Sequence, residues 1–354
     1  MVTNLPAEAK AQWRRVMEAR TPEEKLEELK KFYSLIPKHK GTKNLVRMVR
    51  SQMAKLREEI EESKKRKRGG YISPWNFEKT GDVAVAIISN DYEVITKFLD
   101  YTLGIPEKYL HWRALPTIYG KIFNDVEIQF VVMPPLGLNQ SIDLKAINSC
   151  KKADYTICLG KTYQDLNYLS QILDSYGIYI SDKKIDVRIK KTPAGGIRVI
   201  GMDTDNIEEI RRILREYGIY NAVVKIYGSV DIDLFQEIIM GVKSFLIGGY
   251  YRLNGNMLID RNRKHSSWRV DDFGLLIINA LNLIRVYPVR DIKEKPGRPI
   301  IMHDRSTVHD LAKKIHSKVA DNIRYALVRR DGEIIRVSPS FKLKDGDIVF
   351  IRSR

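Results

Sequence analysis

The sequence has few cysteines and no long apolar run. Among its 354 residues only Cys150 and Cys158 are cysteines, and their spacing of eight matches neither a metal pattern nor a disulfide framework. We expect buried free thiols in a reducing cytosol. The longest apolar stretch, residues 273–284, is shorter than the roughly 20 residues that cross a bilayer. The start of the chain lacks the apolar segment of a signal peptide. These absences predict a cytoplasmic protein that is not inserted in a membrane.

Sequence signatures of catalysis and metal binding are also absent. The chain has no GxSxG motif, no HExxH motif and no Ser-His-Asp signature. His309 and His316 lie seven residues apart on a predicted helix, but no further ligand accompanies them. We therefore expect no metal site and no cofactor.

The chain carries a large excess of positive charge, and this excess lies at its two ends. The formal net charge is +17. Residues 1–70 hold 19 Lys and Arg against 10 Asp and Glu, and residues 285–354 hold 17 against 9. Residues 71–284 hold 25 of each. Such a distribution favours acidic partners, with nucleic acid first and anionic membrane second. Two basic modules are predicted to flank a neutral body.

The first basic module is predicted to be a hairpin of two helices, residues 5–36 and 43–68, separated at Pro37. Its second helix ends in five consecutive cations: Lys64, Lys65, Arg66, Lys67 and Arg68. Compensation of the helix dipole needs fewer cations than this. The run therefore indicates contact with phosphates, although a solvated helix end is the other interpretation.

The neutral body has the pattern of an α/β sheet covered on both faces. Residues 83–88 form a continuous apolar run, typical of a buried central strand, and residues 94–103 have helical spacing. Further strands are predicted at 126–133, 155–159 and 245–253, and further helices at 163–176 and 271–283. Residues 185–241 read as a small α/β insert. In such sheets ligands bind beyond the carboxyl ends of the strands, so a phosphate would lie near residues 89–94.

The last 70 residues resemble a TGS domain. The similarity is carried, in this order, by IRVYPV (284–289), STVHDLAKKIH (306–316), YALV (325–328) and LKDGDIVFI (343–351). TGS domains have a ubiquitin-like β-grasp fold and occur in DRG and Obg-type GTPases and in threonyl-tRNA synthetases.

The rest of the chain is similar to DRG proteins over nearly its full length. The matching segments are PKHKGTK (37–43), MAKLREEI (53–60), TGDVAVAII (80–88) and residues 177–199. The resemblance implies an α/β fold with an N-terminal helical hairpin, a P-loop-NTPase-like (Rossmann-like) G domain with a small α/β insert, and a C-terminal β-grasp domain. The implied domains are residues 1–70, 71–284 with the insert at about 185–241, and 285–354.

The phosphate loop of this family departs from its pattern here. The family motif is GxxxxGK[ST], in which glycines let backbone amides approach the phosphates and the lysine reaches the terminal ones. In the aligned residues 89–96, Ser89 and Val94 replace the two glycines. Ile95 replaces the lysine, and Thr96 alone keeps the chemistry of the motif. Two carboxylates in the same stretch add negative charge where phosphate would bind.

Three other nucleotide motifs are missing. The family's DLPG motif reads Val132-Met133-Pro134-Pro135, so the magnesium-supporting aspartate is Val132 and the last position lacks an amide hydrogen. The switch threonine is missing near residues 113–114, and residues 253–256 contain no NKxD. Positioning and charge neutralisation provide nearly all of the catalysis in GTP hydrolysis. Four failed motifs therefore predict a degenerate G domain, a pseudo-GTPase.

The function that we predict is that of a non-catalytic, translation-related factor that associates with the ribosome or ribosomal RNA. In addition to the run at 64–68, the expected RNA contacts are five cations of the TGS-like module: Lys313, Lys314, Lys318, Arg329 and Arg330. Two alternatives stay open. One is a divergent NTPase with a non-standard nucleotide site. The other is an adaptor that docks a protein partner through the insert or the TGS-like domain.

Overall fold

The structure, a computed structural model, describes residues 5–19, 21–37, 42–67, 73–106, 115–201, 206–262 and 267–353. Its helices are α1 (Ala7–Glu18), α2 (Pro22–Leu35), α3 (Lys43–Lys67), α4 (Tyr92–Leu103), α5 (Gln140–Cys150), α6 (Tyr163–Ser175), α7 (Ile207–Glu216), α8 (Ile232–Ile239), α9 (Phe273–Leu281), α10 (Val308–Ile315) and α11 (Ser317–Asp321). Its strands are β1 (Val83–Ile88), β2 (Thr117–Phe123), β3 (Val126–Val132), β4 (Tyr155–Gly160), β5 (Ile178–Ser181), β6 (Asp186–Lys191), β7 (Ile197–Ile200), β8 (Ala222–Tyr227), β9 (Ser244–Asn254), β10 (Met257–Asp260), β11 (Ser267–Arg269), β12 (Leu283–Val289), β13 (Ile300–His303), β14 (Ile323–Arg330), β15 (Glu333–Val337) and β16 (Ile348–Ser353).

The main sheet has the strand order β11-β10-β9-β4-β1-β3-β2, with β5 paired to the beginning of β9. The predicted central strand is confirmed, since β1 lies between β3 and β4 and is parallel to both. Its alternate side chains face opposite sides. Val83, Val85 and Ile87 pack with α4 and α9, whereas the small Ala84 and Ala86 pack with α5 and α6. The sheet is therefore covered on both faces, as predicted.

The predicted single helix over residues 5–36 is two helices. Thr21 caps the start of α2 because its hydroxyl accepts from the Glu24 N–H at 3.2 Å, while the Glu24 carboxylate accepts from the Thr21 N–H at 3.3 Å. Pro22 occupies the first turn of α2, a position that favours proline. This capping box ends one helix and begins another, and the apolar spacing alone did not reveal it.

The N-terminal helices share a hydrophobic core with the insert. The insert consists of a sheet with the order β6-β8-β7, together with α7 and α8. Leu29, Phe32 and Leu45 of the N-terminal helices belong to one buried cluster with Ile213 and Phe235 of the insert. Two segments that are more than 100 residues apart in sequence thus bury each other's apolar faces.

The C-terminal module is a five-stranded sheet of order β13-β12-β16-β14-β15 with α10 packed on it around its own core. The single helix predicted to carry His309 and His316 is interrupted at His316, whose φ of −169° is extended. The His316 Nδ1 accepts from the Lys318 N–H at 3.1 Å and so caps α11. His309 and His316 therefore do not share a helix face, and neither do Lys314 and Lys318.

Polar contacts join this module to the amino edge of the main sheet. Arg298 lies 3.2 Å from the Asp82 carboxylate and 2.5 Å from that of Glu127. The Tyr287 hydroxyl donates to the Asp125 carboxylate at 2.8 Å. The opposite edge, where β1 ends, is not used by these contacts.

Candidate functional site at the carboxyl edge of the main sheet

The turn from β1 to α4 is short, and the N–H groups of Asp91 and Glu93 are already used within it. Only three residues separate Ile88 from Tyr92, the first residue of α4. Asp91 caps the helix by accepting from the Glu93 N–H at 2.9 Å, and its own N–H donates to the Ser89 hydroxyl at 3.0 Å. An aspartate at this position stabilises a helix by about 1 kcal/mol. The carboxylate thus takes the place at the helix N-terminus that an anionic ligand would take.

Three motif residues lie inside the first turns of α4. Val94, Ile95 and Thr96 are all buried, and Ile95 is completely inaccessible to solvent. Val94 and Ile95 pack with Phe98 in the core on this face of the sheet. The Thr96 hydroxyl donates to the Glu93 carbonyl at 2.8 Å, within the helix. Val94 and Ile95 are thus apolar core residues at the start of a helix.

Glu93 forms ion pairs with two lysines at the carboxyl edge of the main sheet. Its carboxylate lies 2.6 Å from the Lys97 ammonium and 2.5 Å from that of Lys161, which follows β4. Hydrogen bonds from Lys161 and then Lys97 lower the pKa of Glu93 to about 2, and the same contact raises the pKa of Lys161. All three side chains are partly exposed, so water and salt screen the attraction. At neutral pH an internal carboxylate therefore occupies both lysines.

The segment after β3 closes over the same turn. Val132 is buried at the end of β3, and the Met133 N–H donates to the Ile87 carbonyl at 3.0 Å. The Leu136 N–H donates to the Ser89 carbonyl at 2.9 Å, which holds Pro134 and Pro135 beside the turn. Ser89 is completely buried as a result.

A buried carboxylate holds the chain that follows these prolines. Asp143 accepts from the Gly137 N–H at 3.1 Å and from the Tyr176 hydroxyl at 3.0 Å. Burial raises the pKa of Asp143, while these two hydrogen bonds oppose the shift. Gly137 has a φ of +95°, which only glycine adopts without strain.

Residues 253–256, where a base-reading motif would fall, form a β-hairpin turn. Asn254 of β9 pairs with Met257 of β10, which leaves a two-residue turn with Gly255 at a φ of +55°. The Val270 N–H donates to the Asn256 carbonyl at 2.9 Å. The hairpin extends the sheet, and residues 253–256 include no carboxylate to read a guanine edge.

The predicted RNA-contacting cations fall into three groups. Helix α3 ends at Lys67, but the side chains of Lys64, Lys65, Arg66 and Lys67, and all of Arg68, lie outside the described residues. In the C-terminal module Lys313 and Lys318 are exposed. The other three cations make internal bonds: Lys314 to the Ile301 carbonyl, Arg329 to the Glu294 carbonyl, and Arg330 to Asp347.

Arg330 is an internal partner of a buried carboxylate. It makes two hydrogen bonds to Asp347, at 2.8 and 2.7 Å, and Asp347 is completely buried. Its guanidinium also lies 5.1 Å from the centre of the Phe341 ring. The RNA-binding role of these cations stays a prediction.

The described part of the chain contains no group of three or more His, Cys, Asp or Glu placed to hold a metal ion. In the same residues no helix has both the length and the apolar character needed to cross a bilayer. Both cysteines are buried and unpaired.

The sheet with β1 at its centre and the β-grasp module define the class of protein. It is a mixed α/β protein with a C-terminal TGS domain, and the family model for the TGS domain matches residues 290–353. The fold class predicted from the sequence is confirmed.

Comparison with known proteins shows which proteins this chain resembles over nearly its whole length. A GTP-binding protein of Methanocaldococcus jannaschii is 25% identical, with 92% of this chain and 90% of that protein covered. Ribosome-interacting GTPase 1 of Saccharomyces cerevisiae is 22% identical, with 94% and 99% covered. Developmentally-regulated GTP-binding protein 1 of Xenopus laevis is 22% identical, with 89% and 94% covered. The chain is a relative of the DRG/Obg-type GTPases.

Proposed function

We propose that this protein is a non-catalytic, translation-related factor that binds the ribosome through its RNA and has no working GTP site. One observation carries the loss of the site. Ile95 is buried in α4, where the family has its phosphate-binding lysine, and Glu93 neutralises the nearby lysines. A phosphate loop supplies a cation and open backbone donors. In this turn isoleucine stands at the lysine position, and the N–H groups of Asp91 and Glu93 are already used.

The magnitude of the loss supports the proposal. Each charge-assisted contact is worth about 1.5–3 kcal/mol, so the loss of four would remove about 6–12 kcal/mol if they were additive. A micromolar complex is held by only about 8 kcal/mol. We therefore expect no useful affinity for GTP, GDP or ATP.

Titration calorimetry with GTP, GDP and ATP in the presence of Mg²⁺ tests this proposal. We expect no measurable heat of binding. A dissociation constant below about 10 μM for any of the three, which corresponds to about 7 kcal/mol, would contradict it if substitutions in residues 89–96 abolished the binding. That outcome would favour the divergent NTPase.

The ribosome association rests on the excess of cations at the two ends of the chain and on the yeast relative's name. Co-sedimentation with purified ribosomes over a salt series measures it. Replacing the five cations at 64–68 with Gln should flatten the log–log salt slope by several units, since each phosphate contact contributes about 0.7–0.9. If affinity and slope were unchanged, residues 64–68 would not be part of the interface. Binding of a protein partner without binding to ribosomes would favour the adaptor.

A further inference from the structure

A basic cleft of about 790 Å³ lies between α3 and the ends of α5 and α6. Its described lining includes no residue of the TGS domain. Its described lining holds five cations, and Glu61 is the one acidic residue among those lining residues. The cations are Lys43, Arg47, Arg50, Arg57 and Lys145.

Four of these cations form a row along α3. Lys43, Arg47, Arg50 and Arg57 are separated by four, three and seven residues, a spacing that places them on one face of a helix. The row is about 21 Å long at 1.5 Å per residue. All four side chains are exposed. This face is turned away from the buried cluster that α3 shares with the insert.

The cationic groups of the row are available to a ligand. Toward the other described residues, Lys43, Arg47 and Arg57 make no side-chain hydrogen bond or ion pair. The Nε of Arg50 donates to the Tyr33 hydroxyl at 2.8 Å, and its guanidinium lies 5.3 Å from the centre of that ring. This contact orients Arg50 and keeps its full charge.

The opposite wall of the cleft is also suited to anions. It is built by the N-terminal half of α5, where Gln140, Ser141 and Lys145 line the cleft. Asn139 caps this helix by accepting from the Ser141 and Ile142 N–H groups, so the positive charge on this wall is that of Lys145. Val46 and Leu144 add apolar surface on which a base can lie.

We propose that this cleft binds the sugar-phosphate backbone of single-stranded RNA. The inference rests on the proposed RNA-binding function and names a second surface for it. The row is too long for one phosphate, and its spacing suits several successive ones. The cleft is an open groove of about 790 Å³ beside the row, which a flexible single strand can follow. Val46 and Leu144 give unpaired bases an apolar surface to contact, and Tyr176 of the same lining is aromatic, the kind of side chain on which bases stack.

The test compares the full chain with two doubly substituted variants that lose the same charge. Arg47→Gln with Arg57→Gln alters the cleft, and Arg212→Gln with Arg215→Gln alters exposed positions of α7. Binding to a labelled oligouridine is measured by fluorescence anisotropy over a salt series. The cleft variant should bind about tenfold more weakly with a log–log slope shallower by about 1.4, which is two contacts at about 0.7 each. The α7 variant should stay within about twofold of the wild type.

Three outcomes would overturn the inference. If the cleft variant binds oligouridine like the wild type while ribosome binding persists, the cleft is not an RNA site and the proposed function stands. If the wild type binds neither oligouridine nor ribosomes, both proposals fall. If the cleft variant loses binding to polyglutamate but not to RNA, the cleft takes acidic protein. Restoring charge with Arg47→Lys and Arg57→Lys should recover RNA binding, and equal thermal melting of the variants shows that they are folded.

Discussion

Glu93 shows at the scale of one residue how the carboxyl edge of the main sheet is stabilised by the chain's own side chains. A carboxylate at the start of α4 attracts Lys97 from its own helix and Lys161 from the end of β4. A phosphate group would be attracted to the same place, because it too would put negative charge at a helix N-terminus. The sequence shows Glu93 but not its ion pair with Lys161, because Lys161 is 68 residues away in sequence.

Asp143 gives a pH-dependent prediction. Burial raises the pKa of Asp143 above its ordinary 3.8, so this group favours the folded state fully below that value and loses this contribution as pH rises through the folded pKa. Asn at this position does not titrate and still accepts a hydrogen bond. Relative to the wild type, the free energy of unfolding of Asp143→Asn should therefore increase as pH rises from about 3.8 toward neutrality. Urea unfolding at several pH values measures it, and a difference that is constant with pH would contradict the assignment.

The two cysteines give a second prediction. Burial raises the pKa of Cys150 to about 12 and that of Cys158 well above its ordinary value. The thiolate is the reactive form, so a thiol reagent at pH 8 should label neither residue in the folded protein. Both should react at once in denaturant. Fast labelling of one thiol in native buffer would show that the face of the sheet packed on α5 and α6 opens locally.

At the scale of elements, hydrophobic patterning predicted the buried parts of the fold and missed the exposed ones. The apolar run at 83–88 could only be a central strand. Strand β2 was not predicted, because it is an edge strand whose residues are largely exposed. Helix α5 was not predicted, because the polar residues Asp143 and Ser149 lie on its buried face and interrupt the helical spacing of apolar residues. The start of α4 was placed two residues late, since its first turn is set by the Asp91 cap and not by apolar spacing.

The candidate site was predictable in one respect. The departures from the family motifs at Ile95, Val132 and Pro135 are visible in the sequence. The hydrogen bonds that close the turn are not visible, because they join residues that only the sheet brings together. The basic cleft was not predicted, although the spacing of the row on α3 is present in the sequence. Only the packing of α3 across α5 shows that this face borders a cleft.

Strand β14 and the loop before β16 give a prediction for the C-terminal module. Arg330→Gln leaves the buried carboxylate of Asp347 without its partner, so the module should lose about 3–5 kcal/mol of stability. Lys313→Gln, at an exposed position of α10, should change stability by less than about 0.5 kcal/mol. Guanidinium unfolding of the full chain compares them. Equal stabilities with a large loss of ribosome binding by Arg330→Gln would instead assign Arg330 to the interface.

At the scale of the whole molecule, the shared core bears on the division into domains. The predicted division treats residues 1–70 as a module separate from the insert. The buried cluster that joins α1, α2 and α3 with α7 and β8 supports grouping them as one folding unit beside the G-like sheet and the TGS domain. We propose that grouping in place of the linear division.

A single core substitution tests the grouping. Leu29→Ala removes a completely buried side chain from α2 and should cost about 2–5 kcal/mol. Amide hydrogen exchange should accelerate in β8 as much as in α2, because both depend on the same core. Leu311→Ala, completely buried in the C-terminal module, serves as the matched control and should leave β8 unchanged. Acceleration confined to α2 would show that the helices and the insert unfold independently.

The shared core also has a consequence for synthesis of the chain. About 175 residues separate the end of α3 from Val242, the last residue of that core. At about 5–20 residues per second, translation takes roughly 9–35 s to cover this distance. During that interval the first three helices can pack on one another, but the apolar surface that they bury against the insert stays uncovered. We expect nascent-chain chaperones to hold the N-terminal helices until the insert has left the ribosomal tunnel.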